Sequence, residues 1–288
     1  MKKLLIILLC LPMIGFGQQT YVPDDNFEQA LINFGYDNIL DNYVQTANID
    51  TVTHLFVLSM NISDLTGIQD FSALTHLMCD VNQLTSLDLT QNTALTYLEC
   101  WSNQLTSLDI SNNIALTILS CESNQLTNLD VSNNINLTYL CCLSNQLTSL
   151  DVSNNIFLDY LECSWNQLTY LDVSQNINLE GLGIDDNQLT YLDVSQNNSL
   201  TYLGCGDNYL TSLDLRNGNN INTALWTGNN PELTCINVDD SLWSTNNWTV
   251  GNTIDPQHYF SENCSGITSI QEHTTNKELL KVTDLLGR

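Results

Sequence analysis

From residue 74 onward the apolar positions return every 21 residues, not every second residue as in a strand or every 3.6 as in a helix. Units begin at Leu74, Leu95, Leu116, Leu137, Leu158, Leu179 and Leu200, each close to L-x-x-L-x-C-x-x-N-Q-L-T-x-L-D-V-S-x-N-x-x. A worn unit, Leu55 to Met60, precedes them, and another, Leu225 to Cys235, follows. Within one unit, Leu137, Leu140, Cys142, Leu147, Leu150 and Val152 are predicted to point inward. A single coil of that size leaves its two flat sides bare. Stacking covers them and pairs the backbones as parallel strands about 4.8 Å apart, so some nine coils predict a rod or shallow arc roughly 40 Å long.

This pattern resembles the leucine-rich-repeat family, specifically the short, internalin-like bacterial type in which both halves of the unit carry a leucine motif. The resemblance covers roughly residues 49 to 240. It implies a strongly β-rich α/β solenoid with parallel strands on a concave face, a short N-terminal capping helix and an irregular C-terminal cap. Domain bounds follow: signal peptide 1–17, N-terminal cap 18–48, repeats 49–236, C-terminal cap 237–265, and a tail 266–288.

The polar positions repeat as well. Asn82, Asn103, Asn124, Asn145, Asn166, Asn187 and Asn208 follow the strands, where buried amides can satisfy turn N–H and C=O groups. Asp88, Asp109, Asp130, Asp151, Asp172, Asp193 and Asp214 form a second ladder. Like charges stacked at that spacing repel, so turn N–H groups or bound cations must offset them. Cys79, Cys100, Cys121, Cys142, Cys163 and Cys205 take an inward slot and read as small buried hydrophobes. Cys141 falls on an outward position, as a candidate free thiol. Cys235 and Cys264 lie outside the array, where a disulfide cap is expected.

Both ends carry sequences suited to covering a solenoid. Asp24 and Asp25 precede Phe27, Ala30, Leu31 and Phe34 at helical spacing, which predicts a capping helix. Residues 230–264 resemble the closing segment of secreted leucine-rich proteins of Bacteroidetes-type bacteria, with Trp243, Trp248, Tyr259 and Phe260 as its packing core. At the N-terminus, Lys2 and Lys3, the apolar run Leu4 to Phe16 and the small-residue site at Gly17 read as a secretory signal peptide. Leu9 is too large for a lipobox at Cys10. The run ending in Leu285, Leu286, Gly287 and Arg288 resembles the opening of a type IX secretion sorting domain. Export to the exterior or the outer cell surface is the address these features imply.

Charge narrows the partners. The chain has 6 basic and 32 acidic residues, a formal net charge of −26. Between residues 18 and 264 Arg216 is the only base, against all the carboxylates but Glu272, Glu278 and Asp284, which leaves −28 there. Such a surface repels nucleic acid and anionic lipid, and no second apolar run predicts membrane insertion. H-E-x-x-H, G-x-S-x-G, G-x-G-x-x-G and P-loop motifs do not occur, and no Ser or Cys is evidently paired with a histidine, so the expectation is a non-enzymatic protein.

In the resembled family the concave strand face meets ligands. Its outward positions here hold Tyr97, Trp101, Tyr139, Tyr160, Glu162, Trp165, Asp185, Asp186, Tyr202 and Asp207, with His76, Ile118, Glu99 and Glu122 among them. Amphipathic rings among carboxylates suit recognition. A protein partner, with a cationic one favoured by charge, is the first expectation. Gly181, Gly183, Gly204 and Gly206 delete four outward side chains and predict a depression with aromatic walls and an acidic rim, which suits a glycan as the alternative. A purely structural rod is a further alternative. No cofactor is expected, apart from a weak calcium candidate at Asp185, Asp186 and Asp207.

Overall fold

The computed structural model describes residues 17–250 and 253–264. The signal peptide except Gly17, residue 265 and the sorting-domain resemblance lie outside the described residues. An antiparallel pair, β1 (Gln19–Tyr21) and β2 (Tyr43–Gln45), flanks helix α1 (Asp25–Asn33). Then come β3 (His54–Phe56), β4 (His76–Met78), β5 (Tyr97–Glu99), β6 (Ile118–Ser120), β7 (Tyr139–Cys141), β8 (Tyr160–Glu162) and β9 (Gly181–Gly183). The remaining elements are β10 (Tyr191–Asp193), β11 (Tyr202–Gly204), β12 (Ser212–Asp214), β13 (Ala224–Trp226), β14 (Cys235–Asn237), α2 (Ser241–Asn247) and β15 (Tyr259–Ser261).

Nine strands make one parallel sheet in chain order, β3 to β9 followed by β11 and β13. Its register follows the repeat: His76 pairs with Tyr97, Tyr97 with Ile118, Ile118 with Tyr139, Tyr139 with Tyr160 and Tyr160 with Gly181. In the seven regular units the central leucine of each strand and the next inward residue, a cysteine in six units and Ile184 in the other, are fully buried, giving one continuous core along the rod. A second parallel ladder, β10-β12-β14-β15, runs on the other half-turn of the last coils. It carries the solenoid into the closing segment.

The asparagines bind one coil to the next. Asn145 donates from Nδ2 to Cys121 O of the preceding coil (3.1 Å) and to Cys142 O (3.1 Å) and Leu143 O (3.3 Å) of its own, while Oδ1 accepts from Leu126 N at 3.0 Å. The aspartate ladder finds its offset in the turns, with Ser132 N donating to Asp130 and Ser153 N to Asp151, each at 2.9 Å. The hydroxyl bond from Ser132 and then its N–H, and the N–H and then the hydroxyl of Ser153, hold the Asp130 and Asp151 carboxyls below the usual range.

Helix α1 closes the N-terminal end. Asp24 caps it by accepting from Asn26 N and Phe27 N, and its second oxygen accepts from Ser63 N (2.8 Å), Ser63 Oγ (2.7 Å) and Asp64 N (3.1 Å) on the first coil. Phe27, Ala30 and Leu31 are buried, with Phe27 stacked on Phe71 at 6.3 Å. Phe34 departs from the expected packing face: it is the exposed C-cap, one residue past the helix. At the other end Trp248 packs edge-on to Trp243 (5.5 Å) and against Phe260 (5.4 Å). Tyr259 does not join that cluster, because alternation along β15 turns it outward. A disulfide joins Cys235 to Cys264.

Candidate functional site

The chemistry-bearing side chains stand in columns on the nine-stranded face, one residue per coil. The first strand position stacks rings: His54 on His76 (4.3 Å), His76 on Tyr97 (5.5 Å) and, beyond Ile118, Tyr139 on Tyr160 (5.2 Å, 5° between planes). Parallel register puts identical positions side by side, so planar rings at this spacing lie face to face. Tyr97 donates its hydroxyl to Glu99 Oε1. That bond, with burial, pushes the Tyr97 phenol up to about 12.

The four glycines do not open the expected depression. A Cβ on Gly181 would lie 2.5 Å from the Tyr160 ring, one on Gly183 2.0 Å from Glu162 Oε2, and one on Gly204 2.3 Å from Asp185 Oδ2. Side chains of the same or the preceding coil therefore lean over these glycines and cover them. Their lack of Cβ lets Tyr160, Glu162 and Asp185 lie flat against the sheet. This surface is a paved floor of ring and carboxylate.

The three aspartates of the calcium candidate do not come together either. Asp185 Oδ1 accepts from Gly206 N at 2.7 Å, and Asp207 Oδ1 accepts from Asn229 Nδ2 at 2.9 Å. Asp185 and Asp207 are thus turned to different partners. Among the described residues no group of three or more His, Cys, Asp or Glu side chains is placed to hold a metal ion. Burial pushes the Asp185 carboxyl up to about 6, against the opposing Gly206 N–H and with Glu162 adding to the rise.

Position eight of each coil is left-handed, from Val81 (φ 53°) through Ser102, Ser123 and Ser144 to Trp165 (φ 58°), Asp186 and Asp207. Aspartate and asparagine bear that conformation readily; a bulky indole does so at a cost. Trp165 is nevertheless 61% exposed. A strained, solvent-facing tryptophan contributes little to the core.

Cys141 does point to this face but is only 4% exposed, because the ring stack and neighbouring side chains close over it. It is a free thiol, pushed up to about 12 by burial and by Glu122 beside it. Neither it nor the inward cysteines present an accessible thiolate. His258 belongs to the cap, its Nδ1 accepting from Asp255 N at 3.1 Å.

Two contributors to the face escaped the sequence reading. Trp226 takes the strand position of Glu99 and Glu162 in the last coil and is exposed, yet its own repeat is too worn to announce it. Asp80 stands at the position of Trp101 one coil earlier and is 2% exposed. Its burial comes from neighbours that only the fold supplies.

The parallel, asparagine-bonded solenoid is an internalin-like leucine-rich-repeat fold. The chain is 41% identical over 73 residues to internalin J of Listeria monocytogenes, a match covering 25% of this chain and 8% of that protein. The solved functional domain of internalin J, which includes a cysteine ladder, matches with a TM-score of 0.56 and 35% identity over 78% of this chain and 58% of that one. Internalin C2 of the same organism superposes with a TM-score of 0.62 over 77% of this chain and 97% of its own, and at 23% identity it shares the fold. No family model matches the chain.

Proposed function

We propose that the chain is a non-catalytic recognition module whose nine-stranded face binds a protein partner at the cell exterior, a partner presenting a cationic surface. The observation that carries this reading is the row of Tyr139, Tyr160 and the strained, exposed Trp165 set among Glu162, Asp185, Asp186 and Asp207. Tyr97, Trp101 and Tyr202 extend the same surface. Aromatic anchors supply contact area at low entropic cost, and the surrounding carboxylates select for positive charge. The internalin-like fold supports a surface-recognition role. So does the buried state of every free cysteine among the described residues, which leaves this face without an available thiolate nucleophile.

The test is a selection of binders from a displayed library of natural protein fragments, re-measured against a Tyr160→Ala, Trp165→Ala double variant and against a Tyr170→Ala, Tyr191→Ala control on the other ladder. The reading expects at least a tenfold loss of affinity in the first and none in the second. Equal loss in both, or loss in the control alone, would remove it. A polysaccharide panel followed by tryptophan fluorescence, with and without chelator, runs in parallel. Saturable sugar binding lost in the first variant would install the glycan alternative instead.

A further inference from the structure

The first three coils hold an arrangement distinct from the Trp165 region. Asp80 lies at the seventh position of its coil, the position Trp101 occupies in the next coil, with Val81 N donating to Trp101 O at 2.9 Å. Asp80 is almost wholly buried, and its Oδ1, shielded from solvent, meets no hydrogen-bond donor. The negative charges acting on it are Glu99 and Glu122 from the next two coils. Those two are held in place by hydroxyls: Tyr97 donates to Glu99 Oε1, and Ser120 Oγ donates to Glu122 Oε2 at 2.5 Å. Glu99 keeps a second oxygen free of that bond, while Glu122 is also bonded by the Cys141 thiol.

Three carboxylates are therefore gathered within about 10 Å along the ladder, two coil spacings, and among the described residues no Lys or Arg pairs with them. Arg216, the one base between residues 18 and 264, is committed to Asp214 on the other ladder. A buried carboxylate oxygen without a donor is costly, so a donor arriving from outside recovers that cost on binding. The carboxylates are not placed for a shared metal ion. They are spread along the ladder beside an indole, which suits a planar cation with several N–H donors and a face that stacks on aromatic rings.

We propose that Asp80, Glu99 and Glu122, with Trp101 as the stacking surface, form an anchor site for a single arginine side chain of the protein partner. The proposal rests on the recognition function assigned above and names a second contact point on the same face. The guanidinium donates to Asp80 Oδ1 and to the second oxygen of Glu99, with the Glu122 carboxylate adding its charge, while its plane lies against Trp101. Arginine is preferred to lysine because one ammonium cannot both reach spread acceptors and stack.

The test is an NMR titration of the full chain with the capped tripeptide acetyl-Gly-Arg-Gly-amide, followed at the Trp101 indole N–H, with the citrulline tripeptide as its uncharged isostere. The expected result is a saturable shift at Trp101 in the millimolar range for arginine and none for citrulline. It should be lost in Asp80→Asn and weakened at least threefold in Glu99→Gln, with unchanged thermal unfolding certifying both folds. A shift of the same size in Asp80→Asn, with citrulline, or spread evenly over the acidic surface would overturn the site. Partner binding separates the two proposals. Sensitivity to Tyr160→Ala, Trp165→Ala with indifference to Asp80→Asn removes the anchor and leaves the recognition face. An arginine-specific shift at Trp101 with partner binding indifferent to both variants keeps the cation site and removes the recognition reading.

Discussion

Two buried asparagine columns with the same residue type have different bonding, and that difference sets what each is worth. Asn145 uses both ends of its amide, with three carbonyls and one N–H satisfied. Asn155 donates to Val131 O and Asn134 O, while its Oδ1 is buried without a partner. Replacing Asn145 by Ala strands groups of two coils and should cost about 3 kcal/mol, whereas Asn155→Ala also removes an unsatisfied oxygen and should cost about 1 kcal/mol. Urea midpoints of the two variants check the order, and the reverse order would contradict this account of the columns. Asp185 makes a pH-dependent case. Its carboxyl is raised in the fold to about 6 from 3.8, so the stability it contributes is complete below the unfolded value and disappears as pH climbs through 6. Asp185→Asn should therefore stabilise by about 1 kcal/mol at pH 8, after allowance for its partial exposure, and by nothing measurable at pH 4. Denaturant curves at the two pH values decide it.

At the scale of elements, the caps show how far the sequence could be read. Helix α1 was legible from Asp24 and from the spacing of Phe27, Ala30 and Leu31, because capping and helical period are local rules. What Asp24 does with its other oxygen was not legible, since Ser63 and Asp64 approach it only through the fold. Burial raises the Asp24 carboxyl, but the bonds from Ser63, Phe27 and Asp64 outweigh that and leave it below its ordinary value. Its stabilisation is thus present above pH 4 and is lost on further acidification. Asp24→Ala should loosen helix and first coil together, costing about 2 kcal/mol. Hydrogen exchange should then rise in residues 24–34 and 60–66 while the central coils stay protected; uniform loss of protection would refute a local fastening. The glycine stretch illustrates the opposite limit. Counting missing side chains at 181, 183, 204 and 206 predicts a hole, yet neighbours on adjacent coils are free to lean sideways, and Tyr160, Glu162 and Asp185 do. Lateral lean along a ladder leaves no trace in a periodic pattern.

At the scale of the whole molecule the repeat was the most legible feature, because stacking forces each coil to present the same residue at the same place. The same stacking concentrates charge. Residues 18 to 264 carry −28 with a single arginine among them, and the aspartate ladder brings like charges to within a coil spacing of one another. Turn N–H groups stabilise each carboxylate individually but leave the net repulsion between coils in place. Salt should therefore act in two directions. Raising sodium chloride from 20 to 500 mM screens the self-repulsion and should raise the melting temperature by several degrees, since exposed charges within roughly 10 Å interact strongly only at low ionic strength. The same screening weakens the attraction to a cationic partner, so the association rate should fall at least tenfold over that range while the dissociation rate changes little. Calorimetry and surface binding kinetics in matched buffers measure both. A salt-independent association rate would show that the acidic surface does not steer the partner, even if the rings of Tyr139, Tyr160 and Trp165 still hold it.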